Sequence, residues 1–200
     1  MSDRSEEVKK SAQDAMNDEE KVAELAETLS IGSRRERQSA ASTLALVAKG
    51  NPEILVQHID KLIDALNRPE AQTRWECLET LAVLVDYDAR TCGKAVPEAE
   101  TSLFDEESGP VRLAAMRFLC KLGATTENRS EKVWPLIDEG IQCYHGDFEF
   151  GDMLLALVDF SAGKLSADVK LAFADRMAFD AANGKGSLKR RAQQIIDNLG

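Results

Sequence analysis

The stretch ESGPVRLAAMRFLCKLG, Glu107–Gly123, contains a turn followed by an amphipathic helix. Ser108-Gly109-Pro110 is typical of a turn that leads into a helix. After this turn, apolar side chains recur at spacings of three and four residues, whereas Arg117 and Lys121 lie together on another side of the predicted helix. The apolar set is Val111, Ala115, Phe118, Leu119 and Leu122. The stretch therefore predicts one helix with a buried face and a solvated face.

Apolar residues in surroundings like those of Leu119 return at intervals of 37 or 38 residues. This core column comprises Leu44, Leu81, Leu119, Leu157 and Ile195. A second column belongs to the preceding helices and comprises Leu29, Leu66, Leu103, Ile141 and Phe179. A third keeps the same step and comprises Val22, Ile59, Val96 and Trp134. Columns with one shared period predict a helical repeat protein whose stacked units share one core.

The segment AVPEAETSLFDEESGPVRLAAMRFLCKLG, Ala95–Gly123, resembles a HEAT repeat. In that family the first helix carries a proline near its start, and the second opens with a Val-Arg pair followed by small residues. Matching positions are Pro97 and Pro135 for the proline, Arg37, Arg74 and Arg112 for the arginine, and Ala40-Ala41, Cys77-Leu78 and Ala114-Ala115 for the small residues. The resemblance implies an all-α fold, a right-handed α-α superhelix or solenoid of about five HEAT-like helix pairs.

The expected domain organisation is a polar tail or frayed helix at residues 1–17 followed by a HEAT-like repeat domain at residues 18–200. The repeats are expected at 18–50, 51–88, 89–124, 125–163 and 164–200. Phe150 takes the place of the arginine in the fourth repeat, and Leu188 in the fifth. An arginine ladder that joins successive repeats is therefore not expected in the last two.

Composition and charge limit the function classes. The chain has 200 residues and a net charge of −10, which disfavours nucleic acid and anionic membranes as partners. No apolar stretch is long enough to span a membrane, and the N-terminus has no signal-peptide core. The four cysteines show no C-x-x-C spacing, so reduced thiols in the cytoplasm are expected. The basic clusters at 34–37 and 185–191 are interpreted as solvated helix ends, because no continuous basic track joins them.

Motifs for catalysis, metals or cofactors are weak. NGKGS, Asn183–Ser187, lacks the spacing of a phosphate-binding loop, so an interhelical turn is expected. CYHGDFE, Cys143–Glu149, contains metal-ligand residue types, but these are common in polar turns. The two histidines, His58 and His145, lie far apart and suggest no pairing with a nucleophile. No metal, cofactor or catalytic residue is expected.

The resemblance also implies that the second helix of each repeat lines a concave, partner-binding side. Exposed positions should lie one, five and nine residues after the arginine column, because residues four apart share a helix face. These positions give a candidate partner-binding set of Trp75, Glu79, Leu113, Arg117 and Lys121. The alternative for Trp75 is packing between neighbouring repeats, since tryptophan is usually mostly buried.

The expected function is a non-catalytic protein-binding scaffold or adaptor that uses its concave face. Its partner is a protein whose identity the sequence does not reveal, and the sequence does not indicate an oligomeric state. The alternative is a HEAT-fold nucleic-acid binder or an enzyme with an unrecognised site.

Overall fold

A computed structural model of the protein describes the backbone of residues 2–200 and the side chains of residues 5–200. Within that range the chain is built from helices and turns, without strands. The helices are α1 Ser2–Ala15, α2 Glu19–Ile31, α3 Arg34–Gly50, α4 Ile59–Asp64, α5 Ala71–Cys92, α6 Val96–Leu103, α7 Gly109–Gly123, α8 Glu127–Tyr144, α9 Phe150–Ser161, α10 Ala167–Asn183 and α11 Gly186–Leu199. Short 3-10 segments lie at Pro52–His58, Ala65–Asn67 and Gly93–Ala95.

Local capping explains where many helices begin. Ser33 and Glu36 form a reciprocal capping box at the start of α3: the Ser33 hydroxyl accepts from the Glu36 amide, and the Glu36 carboxylate accepts from the Ser33 amide at 2.7 Å. Side-chain oxygens also cap α2, α7, α8 and α10, and the residues responsible are Asp18, Ser108, Thr126 and Ser166. Each cap satisfies an amide that the helix leaves without a partner.

After α1, the described helices succeed one another as five pairs. We call α2, α4, α6, α8 and α10 the first helices, and α3, α5, α7, α9 and α11 the second helices. The 3-10 segments Pro52–His58 and Ala65–Asn67 flank α4, and Gly93–Ala95 directly precedes α6. In α5 the backbone leaves the helical conformation at Asp88, where φ is −146° and ψ is 74°. Residues 2–15, for which a tail or frayed helix was expected, form α1, and its Ala12 and Ala15 are buried.

The chain divides into two compact units, Met1–Ser102 and Leu103–Gly200. In the first unit α3 packs against α1, α2 and α5. In the second unit α9 packs against α7 and α11, and α10 packs against α11. The second helices are thus neighbours within each unit, as stacked helix pairs require.

The core column of the sequence is confirmed. Leu44, Leu81, Leu119, Leu157 and Ile195 are each at most 1% exposed. Three cysteines are also buried in these cores, namely Cys77, Cys92 and Cys120. Burial raises the pKa of all three thiols, and that of Cys92 to about 12. These cysteines are small core residues with no thiolate character at neutral pH.

The prediction of burial is wrong for one member of the second column. Phe179 is 72% exposed, whereas Leu29, Leu66, Leu103 and Ile141 are buried as expected. In α10 the buried side chains recur every four residues, at Val169, Phe173, Met177 and Ala181. Phe179 is two residues beyond Met177, which turns its side chain by about 200° to the opposite side of the helix. The 38-residue step therefore fails in α10, the first helix of the fifth pair.

None of the helices in the described part of the chain combines the length and the apolar character that crossing a bilayer requires.

Candidate protein-binding surface

Helix α5 carries the two candidate residues of the first unit. Trp75 and Glu79 lie one helical turn apart, and both are partly buried. Val83 continues the same stripe and is also partly buried. Trp75 is therefore neither fully solvated, as the pattern proposed, nor enclosed in the core, as the alternative proposed. Part of its ring system remains accessible on the second-helix side.

Polar contacts connect α5 to its neighbour α3 close to Trp75. The Gln72 amide donates to the Ser42 hydroxyl at 3.0 Å, and that hydroxyl donates to the Glu76 carboxylate at 3.1 Å. Ser42 lies five residues after Arg37, which is one of the positions assigned to the second-helix face. The chain of hydrogen bonds fixes the relative positions of α3 and α5, so the surface around Trp75 is preorganised.

Helix α7 carries the three candidate residues of the second unit. Leu113 and Arg117 are partly buried, and Lys121 is exposed. Their spacing of four residues aligns them along one side of α7. On the adjacent second helix α9, Leu155 is 46% exposed at the corresponding position, five residues after Phe150. The same spacing assigns Leu155 to this face, although Leu155 was not among the candidate residues predicted from the sequence.

The structure thus brings the candidate residues together in two groups. Trp75 and Glu79 form one group on α5, and Leu113, Arg117 and Lys121 form the other on α7. The groups belong to different units. A single site that contains all five residues stays a prediction.

Partly buried arginine–glutamate pairs position the second helices. Arg37, early in α3, pairs with Glu70, the residue that precedes α5, and Arg112, early in α7, pairs with Glu149, which precedes α9. Each arginine also donates from Nη1 to a carbonyl oxygen in the turn before its own helix, at 2.7 Å for Gly32 and 2.8 Å for Asp105. We call these pairs the arginine staples. They orient consecutive second helices, so they fix the surface that those helices present.

The staple in the first unit has an electrostatic signature. The hydrogen bond from Arg37 holds the pKa of the Glu70 carboxyl below its ordinary value of 4.5, and the same bond raises the pKa of Arg37. Glu70 is 5% exposed. A carboxylate this buried requires its cation, so loss of either partner would leave an uncompensated charge.

Staple-like contacts extend further than expected. No arginine ladder was expected in the fourth and fifth repeats, but the Arg191 guanidinium of α11 donates to the Gly151 carbonyl of α9. Arg191 lies three residues after the arginine column, which is why the column did not reveal it. Arg37 and Arg191 are thus engaged in internal contacts. Both basic clusters of the sequence therefore have fewer side chains directed to solvent than their composition suggests.

The segment Cys143–Glu149 does not form a metal centre. No group of three or more histidine, cysteine, aspartate or glutamate side chains among the described residues is placed to hold a metal ion. Glu149 binds Arg112, and His145 Nε2 lies 3.0 Å from the Asp180 carboxylate. The ligand types of this turn are instead distributed among contacts with neighbouring helices.

No protein-family model matches the chain, and no curated protein sequence matches it. Solved structures do match. A designed armadillo repeat protein in complex with the peptide (KR)4 is 14% identical, with a TM-score of 0.75 over 96% of this chain and 91% of that chain.

Two further structures agree with it. An engineered protein from a structural genomics consortium is 15% identical, with a TM-score of 0.75 over 97% of this chain and 89% of that chain. A computationally designed armadillo repeat protein for modular peptide recognition is 14% identical, with a TM-score of 0.72 over 96% of this chain and 92% of that chain. The chain therefore has the fold of the armadillo- and HEAT-like helical repeat solenoids.

Proposed function

We propose that the protein is a non-catalytic scaffold or adaptor that binds a protein partner through the exposed face of its second helices. The observation that carries this proposal is the partial exposure of Trp75 on α5. The core of its unit is lined by other side chains that are fully buried, among them Leu78, Leu81 and Leu84 on the same helix. A large aromatic ring left accessible beside a rigid, hydrogen-bonded surface is typical of a residue that dominates binding energy.

The second unit has an accessible apolar surface of its own on its second helices. Leu113 and Leu155 are accessible apolar side chains on the adjacent helices α7 and α9. Charged side chains flank them on both helices: Lys121 is exposed on α7, and Asp152 and Asp159 are exposed on α9. An apolar centre with a charged rim of mixed sign suits a protein partner with complementary polar residues. It does not suit a phosphate backbone, which requires a continuous basic track.

The similar structures add support by analogy of fold. Two of them are designed armadillo repeat proteins, one bound to a peptide and one made for modular peptide recognition. The shared fold indicates which surfaces stacked helices make available, whereas function depends on the side chains at those surfaces. In this chain those side chains include Trp75 and Leu113, which are both partly accessible.

The experiment is affinity capture from an extract of the source organism with immobilised full-length protein, followed by mass spectrometry. The test variant is Trp75→Ala combined with Leu113→Ser, and the matched control is Leu171→Ser, which removes a 74% exposed leucine from α10. We expect the double variant to keep its helical content and to lose a protein that the wild type and the control both retain. Equal capture by all three proteins would contradict the proposal.

A second arm tests the nucleic-acid alternative. With a net charge of −10, binding to random duplex DNA at physiological salt should be weaker than roughly 10⁻⁵ M. Tighter binding that falls steeply with salt and is lost when Arg34 and Arg35 are changed to alanine would favour the alternative over the scaffold.

A further inference from the structure

Three turns lie side by side along one edge of the second unit. They join the first to the second helix in consecutive pairs and comprise residues 104–108, 145–149 and 184–185. We call them the first, middle and last turns, and the edge that they form the turn edge. Phe148 lies in the middle turn, whereas Leu113 and Leu155 lie on the second helices α7 and α9.

Specific contacts hold the first and middle turns together. The Tyr144 hydroxyl donates to the Leu103 carbonyl at 2.7 Å, and the Arg112 guanidinium lies over the Tyr144 ring at 5.2 Å. Arg112 Nε donates to Glu149 at 2.7 Å while its Nη1 donates to the Asp105 carbonyl. One arginine thus binds both turns at once.

The middle and last turns are joined in the same way. His145 Nε2 lies 3.0 Å from a carboxylate oxygen of Asp180, near the end of α10, and Asp180 is only 6% exposed. Arg191, in α11, donates to the Gly151 carbonyl at the start of α9. The helix ends on both sides of the last turn are therefore attached to the helix ends on both sides of the middle turn.

The middle turn also has internal support. The Asp147 amide donates to the Tyr144 carbonyl at 3.0 Å, and the Phe150 amide donates to the Asp147 carbonyl at 3.1 Å. Gly146 adopts a φ of 93°, a left-handed conformation that glycine tolerates best. The His145 ring packs on the buried Phe150 with ring centroids 5.0 Å apart. The conformation of this turn is consequently fixed before any partner arrives.

At the centre of this supported turn, Phe148 is 103% exposed. Its two neighbours in sequence contribute to the turn, since Asp147 makes the backbone bonds and Glu149 binds Arg112, but the phenyl ring itself lies in water. Full burial of a phenylalanine is worth about 1.5–3 kcal/mol, a factor of about ten to one hundred in affinity. Because the turn is already ordered, little conformational entropy would be lost on binding.

Charge changes sign along the turn edge. Glu106 and Glu107 are exposed in the first turn, and Asp147 is exposed beside Phe148. At the other end Lys185 is exposed in the last turn, and Lys189 and Arg190 are exposed near the start of α11. The edge therefore runs from acidic through apolar to basic. A complementary partner must carry the opposite order of charge.

We propose that the turn edge docks a protein segment with an apolar cluster that covers Phe148, basic residues over the first turn and acidic residues over the last. The occupant is a peptide-like segment, because acidic, apolar and basic groups follow one another over three joined turns. Charge order sets its direction along the edge, and Phe148 provides the anchor.

The test uses a phage-displayed library of 15-residue peptides selected on the immobilised full-length protein, with parallel selections on Phe148→Ser and on Leu171→Ser. Leu171 is a matched control because it is a comparably exposed apolar residue on α10. It lies about 20 Å along the helix from the last turn, at 1.5 Å per residue. Thermal unfolding of each variant checks that the fold is retained.

We expect a class of peptides in which apolar residues separate a basic block from an acidic block. Synthesised peptides of this class should bind Phe148→Ser about tenfold or more weakly than they bind wild type, and Leu171→Ser equally to wild type. Glu106→Lys combined with Glu107→Lys should also weaken them, and more so at low salt. Peptides that bind the second-helix face should instead fail to bind the double variant Trp75→Ala, Leu113→Ser and should still bind Phe148→Ser.

Selection that yields no peptide dependent on Phe148 would overturn the proposal. So would Phe148-dependent peptides without separated charge blocks, because the charge order of the edge would then have no role. Neither result bears on the proposed function of the second-helix face, because that face is tested separately with Trp75→Ala and Leu113→Ser.

Discussion

Replacement of Gly163 by alanine tests the close approach of two turns in the second unit. A Cβ atom at Gly163 would lie 2.5 Å from the Cβ, 2.7 Å from the Cα and 2.8 Å from the carbonyl oxygen of Ala124. Ordinary van der Waals contact begins at 3.4 Å, so the turns would have to separate by nearly an ångström. Two of the three contacts are with backbone atoms, which cannot avoid the clash by a change of rotamer.

The separation would also strain a hydrogen bond. The Lys164 amide donates to the Ala124 carbonyl at 2.8 Å, and it joins the turn after α9 to the turn after α7. Overpacking typically costs about 1–3 kcal/mol, and a weakened hydrogen bond about 1 kcal/mol more. We therefore expect Gly163→Ala to lower the free energy of unfolding by about 2–4 kcal/mol.

The assay is urea unfolding followed by circular dichroism, with Gly93→Ala as the matched control. A Cβ atom at Gly93 has no neighbour within 4 Å, and its φ of −61° suits alanine. Alanine there should be neutral or stabilise by up to about 1 kcal/mol. If Gly163→Ala proved as stable as Gly93→Ala, the close approach of the two turns would be wrong.

Three further changes have expected outcomes. Leu119→Ala should destabilise the protein by about 2–5 kcal/mol because the side chain is fully buried, and an unchanged urea midpoint would place it outside the core. Glu70→Gln should lower the urea midpoint at pH 7. Because Arg37 depresses the pKa of Glu70, the stabilisation by the Glu70 carboxylate is present above pH 4.5 and is lost as the pH falls through the lowered pKa. A lower midpoint of the variant that persisted at low pH would refute the electrostatic role of the staple. A thiol reagent at neutral pH should label only the exposed Cys143 in the native protein and all four cysteines in urea, and rapid native labelling of more than one would contradict the burial of the others.

The periodic columns predicted the core well because helix stacking repeats the same environment at each step. Leu44 and Leu119 occupy equivalent buried positions 75 residues apart, and the repeat length alone identifies them. Phe179 shows where this inference ends. The fixed step was carried into α10, whereas the local spacing of four residues from Val169 to Ala181 determines which side of that helix is buried.

Contacts between repeats were much harder to predict. The arginine column was visible, but Glu70 lies 33 residues after Arg37 and Glu149 lies 37 residues after Arg112, so no constant spacing identifies the partners. The pairing depends on how successive helices stack, which the sequence pattern does not contain.

Surface positions were harder to predict. The spacing from the arginine column predicted full exposure for Trp75 and Leu113, and both are partly buried. Phe148 was not predicted as a surface feature, because the direction of a side chain in a turn depends on the backbone conformation at Gly146 and on the contacts that hold the turn.

The accessibility of Trp75 tests the central claim most directly, and it is measured by acrylamide quenching of tryptophan fluorescence in Trp134→Phe, which leaves Trp75 as the only emitter. The structure places Trp75 partly exposed on α5, so its emission in the isolated protein should be quenched by acrylamide. Saturation with the captured protein partner should then protect it and shift its emission to the blue, because the ring becomes buried in the interface. Emission that is already blue-shifted and protected in the isolated protein, or quenching that the partner leaves unchanged, would contradict a binding site on the second-helix face.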